Sequence, residues 1–155
     1  MELIEKIKAV FDSSPIPDGE IISVPYGTDE GVSDYFTGRP WYGHSIKALR
    51  WHEVAMCYFT PEAHKYYLPA FMQASIEDPE EADVIPDNII FHFSQYTDEY
   101  WWERIKLFTP EQCEVIGEFI NLVADEFALE EGQVKKAMKG LGQASNEANK
   151  ANSHG

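Results

Sequence analysis

Leu3, Ile4, Ile7, Val10 and Phe11 fall at helical spacing, with Glu2 one turn ahead of Lys6, so residues 2–12 are predicted to form an amphipathic first helix. The run Ser13-Ser14-Pro15-Ile16-Pro17-Asp18-Gly19 ends it. Residues 20–25 are apolar enough for a short strand, but the chain offers no convincing partner strand, so an extended segment lying on the core is expected. Thr28 to Phe36 reads as a short acidic helix capped by Thr28 with Gly31 in its interior. In the loop that follows, Gly38 and Gly43 flank Arg39-Pro40 and Trp41-Tyr42, a turn that plants Trp41 in the core.

Ser45 is placed to cap a helix through Leu49 and Trp51 that continues or restarts through Val54, Ala55 and Met56. It leads into Tyr58 to Ala74, the stretch with the densest aromatic content. The Thr60 hydroxyl can accept from an orphan N–H of a first turn. Pro61 gives up a donor that had no partner, and Glu62 faces the positive end of the dipole. Pro69 lacks an N–H and its ring clashes with the carbonyl four residues back, so it is expected to stop or kink the helix. The result is a helical elbow whose Tyr58, Phe59, Tyr66, Tyr67, Leu68, Phe71 and Met72 form the centre of the core.

Glu77, Asp78, Glu80, Glu81 and Asp83 lie within seven residues, too much mutual repulsion for a packed element unless a cation or basic partner relieves it, and are expected as a solvated loop. Asp87 is the expected cap of a helix through Ile89, Ile90, Phe91 and Phe93. Thr97 or Asp98 is the expected cap of another through Tyr100, Trp101, Trp102, Ile105 and Phe108. Thr109-Pro110-Glu111-Gln112 forms a capping box and opens the clearest helix of the chain. Ile116, Phe119, Ile120, Val123 and Phe127 share one face of it; Glu111, Glu114, Glu118, Asn121 and Asp125 share the opposite one. From Gly132 onward large apolar residues are few. Residues 129–155 are therefore expected to be a polar, mobile C-terminal tail with one helical turn near Val134 to Met138.

These elements predict a mainly α fold: a compact bundle of six or seven short helices closed by the long amphipathic helix, with at most one short strand, in a single domain over residues 1–128. The 27 acidic and 12 basic residues give a net charge of -15, which disfavours nucleic acid and anionic lipid and favours a basic protein partner. All of that acidity is in the body, since residues 1–128 carry net -16 and residues 129–155 net +1. Cys57 and Cys113 sit among apolar neighbours in no regular spacing, so buried free thiols in a reducing compartment, the cytoplasm, are expected. No apolar run approaches membrane-spanning length.

The chain resembles an uncharacterised bacterial family catalogued only as a domain of unknown function, whose signature is T-P-E-A-x-x-Y-Y-L-P-A. The residues carrying the likeness are Trp41, Leu49, Y-F-T-P-E-A-H-K-Y-Y-L-P-A-F-M at 58–72 and F-T-P-E-Q at 108–112. It covers roughly residues 2–127 and implies a small helical cytoplasmic protein without an established activity, cofactor or catalytic residue. The acidic segment 77–83 and the chain after 128 fall outside it.

His52 and Glu53 with Glu62 and His64 suggest a metal-dependent enzyme as an alternative, but they span two elements and lack the register that puts two imidazoles on one helix face. No nucleophile motif, phosphate-cradling glycine loop or dinucleotide fingerprint occurs, so no catalytic, metal or cofactor residue is assigned. Tyr58, Tyr66, Tyr67, Tyr96, Tyr100, Trp101 and Trp102 read chiefly as core, with exposed anchors for a partner as the second reading. The expected function is an acidic protein-binding module, one form of which is an immunity or antitoxin protein that blocks a basic toxin. The expected contact residues are Glu77, Asp78, Glu80, Glu81, Asp83, Glu111, Glu114 and Glu118. An accessory domain with no specific partner is the bland alternative.

Overall fold

A computed structural model describes residues 2–23 and 31–154. The first helix is α1 (Leu3–Phe11), which buries Ile7 and Phe11 as its spacing predicts. Ile21 is buried and Ile22 makes an isolated antiparallel bridge to Phe59. Ser23 N donates to Tyr58 O at 2.8 Å and Thr60 N to Ile21 O at 2.8 Å, so the expected extended segment is pinned to the core by backbone bonds rather than by a sheet. Residues 24–30, with the proposed Thr28 cap, lie outside the described residues. The following helix, α2 (Val32–Phe36), begins after Gly31 instead of containing it. Gly31 has φ 81°, a left-handed conformation that precedes a helix and cannot lie within one.

The chain restarts between α3 (Ile46–Trp51), capped by the Ser45 side chain, and α4 (Ala55–Tyr58). The elbow expected at Pro69 is replaced by one helix, α5 (Pro61–Glu77), opened by the Thr60 cap and running through the proline. An interior proline costs a helix about 3 kcal/mol through its missing N–H and its ring clash, but Tyr66 to Met72 are all buried, and that packing outweighs the cost. α5 is central to the bundle, touching α1, α3, α6, α7, α8 and α9, which agrees with its reading as the core. Its paired tyrosines also hold the 36–41 loop. Tyr67 Oη shares its one hydrogen between Phe36 O at 2.7 Å and Arg39 O at 2.8 Å, and Trp41 N donates to Tyr66 Oη at 3.2 Å, which seats Trp41 in the core. Burial pushes the Tyr67 phenol up to about 12.

The acidic segment is not a loop throughout. Asp78 caps a single turn, α6 (Pro79–Ala82), accepting from Glu81 N, and Ala82 is buried. α7 (Ile85–Ser94) starts before Asp87, which sits in its first turn rather than at the cap, because Pro86 is tolerated where no N–H is needed. α8 (Glu99–Ile105) takes the Asp98 cap, and α9 (Pro110–Phe127) has the full capping box of Thr109 and Gln112. α9 ends at Ala128, held at φ 49°.

The expected polar tail is instead a 24-residue helix, α10 (Glu131–His154), so the domain does not stop at 128. The Glu130 carboxylate starts it by accepting from Gly132 N and Gln133 N. Ala137, Leu141 and Ala144 are buried and α10 packs chiefly on α7 and α9. The described residues thus hold ten helices around one apolar cluster, the excess over six or seven coming from α10 and single turns such as α4 and α6.

Two glycines of α10 play opposite parts. A Cβ on Gly140 would lie 2.5 Å from Phe93 O and 2.9 Å from the Tyr96 ring, whereas one on Gly142 would meet nothing within 4 Å. Gly140→Ala should therefore force α10 off α7 at a cost of about 1–3 kcal/mol, while Gly142→Ala should stabilise by about 0.5–1 kcal/mol through helix propensity. Urea unfolding of the two variants checks the pair; equal effects would show that α10 is not seated on Phe93.

Candidate protein-docking surface

The expected contact residues fall into two patches with different neighbours. In the first, Arg50 near the end of α3 bridges elements: its guanidinium pairs with Glu53 and reaches Asp83 Oδ2 at 2.9 Å. The hydrogen bond to Asp83, with the charges of Glu53 and Asp83, raises the Arg50 pKa, outweighing a smaller burial effect. Of the five carboxylates at 77–83, Arg50 pairs with Asp83, and the pair links the end of α6 to α3. Trp51, the next residue, is 81% exposed. Tryptophan is rarely left in water, and here it follows directly on Arg50, which pairs with Glu53 and Asp83.

The second patch is the α9 stripe. Glu111, Glu114, Glu118 and Asp125 are exposed as the periodicity predicts, and Lys6 of α1 pairs with Glu118 at 2.8 Å. α6 packs on α3, α5 and α7, while α9 packs chiefly on α1 and α10, so the eight carboxylates do not form one surface.

The histidines singled out in the sequence go to separate aromatic clusters. His52 stacks on Tyr35 at 4.7 Å, whereas His64 lies edge-on to Trp101 and Phe108. Among the described residues no group of three or more His, Cys, Asp or Glu could hold a metal ion. His64 is 1% exposed with neither ring nitrogen hydrogen-bonded to a described residue, and burial, helped by the charges of His92 and Arg104, lowers its pKa to about 3. His92 stacks flat on Trp101 at 4.0 Å, and its pKa falls to about 3 for the same first reason, burial.

Two polar features had no sequence signal. Cys57 is exposed rather than buried, with Sγ 3.7 Å from His92 Nε2, but desolvation raises its thiol pKa and works against a nucleophile. Cys113 is buried, and its thiol is pushed up to about 11 by burial. The larger surprise is Arg104, 2% exposed and without a carboxylate partner among the described residues. It donates to Phe59 O at 3.0 Å, Tyr100 O at 2.7 Å and Ser23 Oγ at 3.0 Å, and its guanidinium lies 3.6 Å over the Tyr100 ring.

The class defined by this fold and surface is an all-helical, acid-faced bundle in which no described helix is long and apolar enough to cross a membrane. The chain belongs to DUF6714, a family of unknown function whose model matches residues 1–144. That span takes in the acidic segment and most of α10, beyond the 2–127 stretch that carried the resemblance. No curated protein and no solved structure matches the chain.

Two outcomes follow from the buried polar groups. His64 and His92 have folded pKa values below their unfolded value of about 6.5, so the unfolded state binds more protons between pH 6.5 and 3. Their contribution is complete above pH 6.5 and falls away by about 1.4 kcal/mol per pH unit per histidine as the pH drops toward 3. Urea unfolding of His64→Leu should show about half of the histidine part of that slope; an unchanged slope would mean His64 titrates normally. Arg104→Met should lose about 1–3 kcal/mol, because it strands the Phe59 carbonyl. Unfolding of this variant with near-native stability would remove Arg104 from its structural role.

Proposed function

We propose that this chain is an acidic protein-binding module that docks a basic protein through the α3–α6 edge. The observation that supports it is Trp51, left 81% exposed and next in sequence to Arg50 of the Arg50–Glu53–Asp83 ion-pair network. A large aromatic rimmed by polar charge has the anatomy of an interface hot spot, where the ring sets residence time and the rim carboxylates steer encounter. The α9 stripe adds to the long-range field, although Lys6 offsets part of it. An immunity or antitoxin protein covering a basic toxin in the cytoplasm is the biological form this chemistry suits best. The required partner has a basic surface around an apolar recess that takes an indole.

The test uses the full chain as bait in a lysate of its own host, alongside Trp51→Ala and a variant with Glu77, Asp78, Glu80, Glu81 and Asp83 changed to Gln or Asn. A basic protein held by the native chain and lost by both variants is expected. With that protein in hand, neutralising the segment should lower the on-rate about tenfold or more, and Trp51→Ala should raise the off-rate by about tenfold or more. The native on-rate should also fall as the Debye length shrinks from about 30 Å at 0.01 M salt to about 8 Å at 0.15 M. An on-rate indifferent to both salt and neutralisation sinks the proposal.

A further inference from the structure

α9 and α10 form an antiparallel hairpin, and along one side of their seam runs an open groove of about 500 Å³. Its floor is Cys113, Gly117, Met138, Leu141 and Gly142; Glu114 and Glu118 stand on its α9 rim. Glycine weakens a helix interior, so each glycine here calls for a reason. Gly140 has one in the Phe93 carbonyl. Gly117 has another, since its Cβ would already touch Leu141 Cδ2 at 3.4 Å and Met138 Cε at 3.6 Å. Gly142 has none inside the fold: it is exposed, and a Cβ there would meet nothing within 4 Å. What a side chain at Gly142 would fill is the groove itself.

We infer that this groove is the docking site for an amphipathic helix of a partner protein, one that carries lysine or arginine beside its apolar face. A trough between two packed helices is the shape in which a third helix rests, with apolar anchors one turn apart entering the floor. The charge of the occupant follows from the rim. Among the described residues the two rim carboxylates share one cation: Lys6 pairs with Glu118 at 2.8 Å and also feels the charge of Glu114, which leaves the rim net negative. A second copy of the chain fits less well, because two molecules at net -15 repel and would bring two α9 acidic stripes together. The inference shares with the α3–α6 reading only the sign of the partner's charge and uses a different face.

The experiment is selection of short helical peptides from a phage-displayed library against the full chain, followed by fluorescence anisotropy with the enriched peptides. Enriched sequences should carry apolar residues at i, i+3 or i+4, and i+7 with flanking Lys or Arg. Gly142→Leu, which keeps the fold because its side chain enters open space, should weaken them about tenfold or more, and Glu114→Lys should weaken them as well. Should Gly142→Leu unfold by circular dichroism, Glu114→Lys alone decides. Trp51→Ala should leave the peptides bound, which separates this site from the α3–α6 edge. No enrichment, enrichment of acidic peptides, binding insensitive to both groove variants, or loss with Trp51→Ala would overturn the inference. So would a dimer in sedimentation that Gly142→Leu abolishes, since the occupant would then be a second copy.

Discussion

The buried guanidinium of Arg104 joins three parts of the chain: the end of α4, the extended segment at Ser23, and its own helix α8. Phe59 closes α4 and leaves its carbonyl without an intrahelical donor, and Arg104 donates to it from both Nε and Nη2. The same side chain reaches Ser23 in the extended segment and Tyr100 in its own helix. The turn at Phe59-Thr60 also starts α5 and receives the bridge from Ile22, so Arg104 secures the junction at which the central helix begins. Burial pushes the Arg104 pKa down, partly offset by Tyr100 and Glu103, so backbone dipoles and an aromatic face do the work that a carboxylate usually does.

The interior and the surface of this bundle follow opposite electrostatic rules. Inside, His64 and His92 are held neutral by desolvation and packed against aromatic rings, and Arg104 is the one cation among the buried side chains of the described residues. Outside, carboxylates dominate, and two cations bridge elements: Arg50 links α6 to α3 and Lys6 links α1 to α9. Each such surface pair contributes little free energy in water. What they do is fix where the remaining acids stand, which sets the field that an approaching basic protein meets.

The hairpin of α9 and α10 shows how small residues shape both packing and surface. Gly140 lets α10 press onto the Phe93 carbonyl, and Gly117 lets Leu141 and Met138 close on α9. The two helices come close enough to bury Ala137 and Ala144, residues with almost no hydropathy to announce them. One step along, Gly142 leaves the seam open. Close approach and an open groove thus arise from the same residue type, according to which side of the helix it occupies.

The sequence by itself determined the elements whose ends and faces are local matters. The Thr60, Asp98 and Thr109 caps, the apolar face of α9, its acidic stripe, and the burial of Trp41 between two glycine turns all depend on neighbours within a few residues. The continuity of α5 through Pro69 was not legible, because the local cost of proline is visible in the sequence and the packing that exceeds it is not. α10 escaped for a related reason: Val134, Ala137, Leu141 and Ala144 do keep the helical period, but alanine becomes core only when another helix lies against it. Of the surface, the acidic residues were legible and their division into two patches was not. Arg104, Cys57 beside His92, and the exposed Trp51 were likewise decided by tertiary structure, since exposure and contact between distant residues are properties of how elements pack.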